Sequence, residues 1–434
     1  MTIDLIRGGL IKCIGLQSLF GVYCLVVASH SLALDADLAI SLGSEYSDNV
    51  LKTNDATAAE WENVFGASVG MNHQGKDVLV DVQYQGEYTR YASGIDNYSA
   101  IEGDANFVYG RETGVSQWRL KNSRRSVVRD KSLVDIGSNR EDRSITQAGV
   151  DIMLRPAAAN EVITSLYYND IVYQDSDQLN SSGPGGSLTW SRRLTPIDSL
   201  FVRGDYQENN FDNTLFDYDY YSGVVGYTAA LVRLNYTVSA GYNEQKRNGQ
   251  SYSGTSYNLN AKYNSQGAIW NLSLSKQLTD SSRGNNNNVL SDIDFSENIG
   301  AVNQFYELLS IQLQYSNQFL CPACTLVLVG RSVDESYEDA PNDNRQLTLL
   351  ARMVYKYTPT TDFSGQIYLN DLQFYGDNPR GDYTVYRYRL TSSHKFSADF
   401  RGSVFIQYEE RDADNPGENY NEMRAGLNLS YEFF

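Results

Sequence analysis

Three histidines in 434 residues leave little material for acid–base or metal chemistry. A nucleophile needs a base near the reacting centre, and a metal usually needs three or four convergent ligands. Histidine outside the first thirty-three residues is confined to His73 and His394, so no catalytic residue, metal or cofactor is expected. Positive charge is also short. Thirty-five Lys and Arg face fifty-three Asp and Glu, a net charge of −18, which argues against nucleic acid as a partner. Beyond residue 33 no apolar run is long enough for a membrane helix. Proline is scarce, at eight, so little interrupts extended structure. Cysteine is scarce too: Cys13 and Cys24 fall in the N-terminal segment, which leaves Cys321 and Cys324.

That N-terminal segment has three parts. Met1–Lys12 carries Arg7 and Lys12, Cys13–Ala28 is mostly apolar, and Ser31-Leu32-Ala33 offers a small-x-small cleavage site. This is the form of a secretory signal peptide, so residues 1–33 are expected to be removed and 34–434 to form the mature domain. No cysteine follows the small residues, which excludes a lipoprotein signal.

Tyrosine and glycine are abundant, at 33 and 34. Such a composition favours β structure, and tyrosine suits membrane interfaces. Apolar and polar residues alternate along the mature chain. Val78, Val80, Val82, Tyr84, Gly86 and Tyr88 interleave with Leu79, Asp81, Gln83, Gln85, Glu87 and Thr89. The runs Val232–Tyr242, Leu347–Tyr357, Tyr386–Leu390 and Ala425–Phe433 repeat the pattern. Successive strand side chains point to opposite faces, so each run has one apolar and one polar side. A length of about ten residues suits a tilted membrane-crossing strand.

Short connections such as His73-Gln74-Gly75 and Thr358-Pro359-Thr360-Thr361 take turns with longer polar ones. The long ones are expected at Asp48–Glu60, Val127–Arg143, Asp175–Gly183, Asn243–Gly254, Thr279–Asn303 and Glu335–Asn344. Short turns at one end and long loops at the other are the pattern of an outer-membrane barrel. The fold class is therefore an all-β transmembrane antiparallel barrel of about twenty strands, or eighteen without the weak segments near Tyr167 and Ser187. His73 and His394 are expected at the periplasmic rim. A barrel satisfies its backbone hydrogen bonds between strands, and the last strand is expected to pair with the first, Ala36–Ser47.

The chain ends on Tyr431-Glu432-Phe433-Phe434. An aromatic-x-Phe ending resembles the signal that bacterial outer-membrane proteins present to their insertion machinery, with Phe434 as an extra residue. Glu45–Thr53, "EYSDNVLKT", and the C-terminal "NYNEMRAGLNLSYEFF" resemble the porin family of exopolysaccharide operons and the exosortase (PEP-CTERM) associated outer-membrane barrels. The resemblance implies an outer-membrane location, an outlet for exopolysaccharide or oligosaccharide, and periplasmic polysaccharide-export components as partners. The barrel-assembly machinery and outer-membrane lipid complete the expected partners.

By alternation the polar face brings Asp81, Gln83, Glu87, Glu102, Asp104, Asp151 and Asp205 into the lumen, with Arg119, Lys121, Arg203, Arg233, Arg352, Arg387 and Arg389. A lumen this wide is either a water channel or one plugged by its own loops. The charges either form opposed walls that screen solutes or pair to solvate the interior. Tyr368 points inward, where a sugar ring could stack. Thr279–Asn303 is the longest connection, and its polar tip favours the surface over the lumen. Cys321-Pro322-Ala323-Cys324 joins two strands. In the oxidising periplasm a turn-pinning disulfide is favoured over a redox site. The expected function is a passive outer-membrane pore for exopolysaccharide or oligosaccharide. The alternatives are a general or cation-leaning small-solute porin and a non-conducting structural or docking barrel with Val127–Arg143 and Thr279–Asn303 as its contact surface.

Overall fold

Each alternating run becomes one strand of a single closed sheet. The computed structural model describes residues 35–55, 59–93, 95–111, 113–280, 304–318, 321–337, 343–375 and 381–433. The expected signal segment, residues 281–303 of the longest expected connection, and Phe434 lie outside the described residues. The first ten strands are β1 Asp35–Ser47, β2 Glu60–Gln74, β3 Val78–Tyr91, β4 Tyr98–Tyr109, β5 Ser116–Val128, β6 Arg140–Ala157, β7 Asn160–Tyr173, β8 Ser181–Thr195, β9 Asp198–Phe211 and β10 Tyr218–Ala230. The remainder are β11 Leu234–Arg247, β12 Gln250–Ser265, β13 Ala268–Asp280, β14 Phe305–Asn317, β15 Cys324–Tyr337, β16 Asn344–Lys356, β17 Thr361–Phe374, β18 Tyr383–Lys395, β19 Phe400–Ala413 and β20 Tyr420–Glu432.

Every strand pairs antiparallel with its neighbours in sequence, and β20 pairs with β1 from Ala39↔Glu432 to Ser47↔Arg424. The barrel is thus closed and has twenty strands. The two weak segments near Tyr167 and Ser187 are β7 and β8, which removes the eighteen-strand count.

One face of each strand looks outward and carries the apolar side chains. Leu42, Trp61, Phe65, Leu120, Val225, Leu349, Ile406 and Leu427 are all exposed. Apolar exposure this extensive marks a surface meant for lipid or for a partner, and on a closed barrel it forms the lipid-facing band. Aromatic pairs sit at both ends of that band. Tyr46–Trp61 (5.3 Å) and Tyr206–Tyr221 (5.1 Å) lie towards the long connections. Trp270–Tyr315 (4.4 Å) and Tyr431–Phe433 (5.0 Å) lie towards the short turns. Rings that are apolar with a polar edge suit the two interfaces of a bilayer.

The ends follow turn chemistry. At the short-turn end Gly75 N–H donates to Val78 O at 2.8 Å. At the loop end one expected long connection is replaced by a tight turn. Asn243–Gly254 belongs to β11 and β12, which meet through Asn248-Gly249 with φ of 50° and 80°. Asn-Gly takes positive φ at both positions readily, and that twist matches two paired strands. The polar residues read as a loop are the paired ends of two strands, polar on both faces.

One seam departs from regular pairing, and it positions the site described below. The β4–β5 ladder runs from Tyr109↔Trp118 only as far as Gly103↔Arg124. Gly103 has φ of 153°, and a Cβ there would meet Gln83 O and Tyr84. Beyond it side chains replace the ladder. Arg125 Nη1 donates to Gly103 O at 2.9 Å, Ser126 N–H to a Glu102 carboxylate oxygen at 3.2 Å, and Ile101 N–H to Asp142 Oδ2 at 3.2 Å. Buried backbone groups need partners, and these side chains supply them while freeing the end of β5 from β4.

Candidate functional site

Freed from β4, the chain after β5 turns into the barrel. Residues 129–139 form a self-braced loop. Asn139 is its centre: its amide donates to Asp130 O at 2.9 Å and Val134 O at 3.1 Å, and its Oδ1 accepts from Asp130 N–H at 3.1 Å. Asp130 Oδ1 accepts from Ser132 N–H at 2.9 Å and from Ser132 Oγ at 2.6 Å. Asn and Asp bond nearby backbone in this way and favour turns over regular structure.

The loop reaches strands far round the ring. Lys131 Nζ meets Glu335 Oε2 on β15 at 2.5 Å. Both side chains are under 10 % exposed. Tyr383 OH on β18 donates to Lys131 O at 2.8 Å, and Arg411 on β19 donates to Ser132 O at 2.7 Å. A loop that leaves the wall at β5 and is anchored on β15, β18 and β19 crosses the lumen. Its inner half carries Asp135, bound to Arg140 at 2.5 Å. Burial works against the Asp135 charge, but the Arg140 guanidinium, joined by the charges of Lys52 and Arg387, outweighs it and holds the carboxyl below the usual carboxylate range.

A second network backs the first. Lys52, in the connection after β1 with φ of 51°, meets Glu409 on β19 at 2.7 Å. Glu409 also pairs with Arg387 at 2.5 Å and accepts from Tyr420 OH at 2.7 Å. Arg411 stacks on the Tyr383 ring at 3.9 Å and pairs with Glu418 at 2.9 Å. At the closing seam Arg424 on β20 serves three carboxylates: Glu422 (2.9 Å), Glu62 (3.2 Å) and Glu45 (3.3 Å). Across the ring, Phe211, Tyr218 and Phe305 pack together, and Arg247 lies 3.8 Å over the Phe305 ring. Loop, ion pairs and rings together narrow the loop end of the lumen. Nearer the short-turn end, inward Asp81, Gln83 and Lys121 are exposed to water.

On β3 and β4, Asp81, Gln83, Glu87, Glu102 and Asp104 share the inward face, with Gln83 opposite Asp104. Asp104 pairs with Arg125 at 2.7 Å. Arg119 pairs with Asp151 on β6, and Arg203 with Asp205 at 2.5 Å. Lys121 lines a lumen cavity. Arg352 is inward on β16, opposite Val327. Arg389 stacks 3.9 Å over Phe405 and approaches Gln407 at 3.4 Å. Much of this charge therefore pairs locally along or between neighbouring strands. Arg233, expected in the lumen, lies instead in the turn before β11, because Leu231 N–H bonds Leu234 O at 2.9 Å and closes the hairpin there. Tyr368 points inward, but it is only 7 % exposed, packed on Val329 and Leu350 with Arg387 over its ring. Its face is not free for a sugar.

Cys321 and Cys324 are joined in a disulfide with Cα atoms 5.0 Å apart, beside the start of β15. Tyr431 and Phe433 point outward and are exposed, and Phe433 N–H donates to Leu38 O at 2.8 Å. His73 is the next-to-last residue of β2 and His394 lies near the end of β18, where Nδ1 is 2.9 Å from Thr361 Oγ1. Alternation alone did not single out Glu335, Glu409, Arg411 and Arg424, although its period places them inward. No local signal marks Lys131 as a lumen anchor, because its partner is 204 residues away.

Fold and site define a membrane-spanning β-barrel with a polar lumen narrowed by its own loop. No protein-family model matches the chain, and no curated protein is significantly similar to it. Solved structures do resemble it. The FrpB iron transporter of Neisseria meningitidis aligns over 92 % of this chain and 81 % of its own, at 8 % identity and a TM-score of 0.48. The outer-membrane protein OpdK of Pseudomonas aeruginosa aligns over 92 % and 99 %, at 11 % identity and 0.40. OprD of the same organism aligns over 92 % and 96 %, at 12 % and 0.34. Likeness of this degree carries no functional argument. The resemblance to exopolysaccharide-operon porins finds no support among these structures.

Proposed function

We propose that this protein is an outer-membrane channel through which oligosaccharide or exopolysaccharide segments pass by diffusion, with loop 129–139 setting the bore. The observation that carries the channel reading is the loop itself, anchored across the lumen by Lys131–Glu335, Tyr383 and Arg411 above a water-exposed polar wall. A purely structural barrel has no need of a loop tied by buried charge across its bore. The apolar outer band and its aromatic ends suit an outer membrane, the setting of barrels of this type. In this reading residues 1–33 direct export to the periplasm, and the assembly machinery recognises the Tyr431, Phe433 and Phe434 ending. Periplasmic export components would deliver the polymer. The carbohydrate cargo rests on the family resemblance and on a lumen rich in amides and hydroxyls rather than in one sign of charge.

The test is single-channel conductance of the purified barrel in a planar bilayer, with neutral and charged sugar oligomers on one side. Conduction interrupted by sugars is expected. Conduction indifferent to sugars would replace the cargo with small solutes generally. A folded barrel that never conducts would leave a structural role.

A further inference from the structure

Inside the barrel, between β4–β7 and β9–β13, lies a cavity of about 590 Å³ whose wall carries several side-chain amides among apolar side chains. Asn106, Gln147, Asn169, Gln207, Gln245 and Gln277 reach it from six different strands. Some of these amides satisfy each other or a neighbour: Gln147 donates to Asn169 at 2.9 Å, and Gln207 to Asn209 at 2.7 Å. Two acceptors are left over. Gln245 is 1 % exposed, and its Oε1 has no partner. Asn106 Oδ1 is likewise buried without a donor. A buried acceptor left unmatched is destabilising and uncommon in native proteins, so such atoms call for a donor from elsewhere.

The rest of the lining narrows what that donor belongs to. Lys121 stands in the same wall, which disfavours an ammonium ligand. Asp104, the cavity's carboxylate, is already bound to Arg125, which leaves the Lys121 ammonium as the charge in the wall. Ile145, Ile171 and Tyr220 add an apolar strip beside the amides. A neutral ring with hydroxyls on its edge and C–H groups on its face matches both parts, because amides both donate and accept. We propose that this cavity is a binding subsite for a neutral hydroxyl-rich ligand, one or two saccharide units, with Gln245 and Asn106 accepting from its hydroxyls. The inference rests on the channel reading for how the ligand arrives. It adds that the sugar is held at a defined place and not merely admitted.

The probe is a neutral glucose hexamer, measured by equilibrium dialysis against the full-length barrel folded in detergent. A polyethylene glycol of equal size is the comparison, because its ethers accept but do not donate. Folding is verified separately by heat-modified gel mobility. Saturable binding of the hexamer, no binding of the glycol, and affinity about three- to tenfold weaker in Gln245→Leu are expected from losing one such bond. Absence of hexamer binding by the folded wild-type barrel would overturn the subsite. So would equal binding of hexamer and glycol, or equal affinity in wild type and variant. Conductance, recorded in parallel, separates the two ideas. A barrel that conducts but does not bind refutes the subsite alone, and one that binds but never conducts refutes the channel alone.

Discussion

Replacing Lys131 by methionine should loosen the loop that narrows the lumen. The side chain keeps a similar reach but loses its charge, so Glu335 is left without its loop cation. Glu335 still accepts from Asn344 and from Tyr337 OH, both at 2.9 Å. Breaking one side of a buried ion pair destabilises by about 3–5 kcal/mol, and those two bonds place the value near the lower limit. The loop retains two anchors on its backbone. Tyr383 to Lys131 O is worth about 1 kcal/mol, and the charged bond from Arg411 to Ser132 O about 2 kcal/mol. The strain of about 3 kcal/mol thus roughly matches what remains to hold the loop in place. In bilayer recordings the variant should move between the wild-type level and a larger one, with comparable time in each. Lys131→Arg should behave as wild type. Adding Tyr383→Phe to the methionine variant should shift the balance a further fivefold or so towards the larger level, since about 1 kcal/mol is lost. A Lys131→Met channel indistinguishable from wild type would refute the claim that this pair holds the loop.

Two further expectations follow from the same geometry. Asp135 is held ionised by Arg140, so its carboxyl titrates below the usual carboxylate value of about 4. A depressed folded-state value gives stabilisation that is complete above that usual value and lost as pH falls through the depressed one. Conductance should therefore stay constant from neutral pH down to about pH 5 and rise only below about pH 4, and Asp135→Asn should raise it at neutral pH and remove the step. Single cysteines at Val80, Leu234, Leu349 or Leu429, all on the outward face, should be shielded from water-soluble thiol reagents in membranes. Cysteines at Asp81, Arg352 or Asn428 should label; equal labelling of both sets would contradict the assigned faces.

The alternation of Val78–Tyr88 with Leu79–Thr89 determines by itself that β3 has a lipid face and a lumen face, because a strand has only two sides. Repeated along the chain, that single rule yields the barrel, its inward charges and the outward Tyr431 and Phe433. It fails where local chemistry competes with it. Asn243–Gly254 reads as a loop because both faces of that hairpin's end are polar, and only the tight Asn248-Gly249 turn shows that the strands continue. Val232-Arg233 reads as strand because it keeps the alternation, yet it closes the turn before β11.

What the sequence leaves open is the content of the bore. Period-two spacing says that Glu335, Arg411 and Gln245 point inward, but not what each meets there. Lys131 finds Glu335 across 204 residues. Asp135 lies in the lumen because the β4–β5 ladder stops at Gly103 and releases the loop. The amides of six strands share one cavity only once the sheet has closed. Strand faces are set by neighbours in the chain and are legible there. Contacts across a lumen depend on the curvature and closure of the whole ring, and the tertiary structure alone decides them.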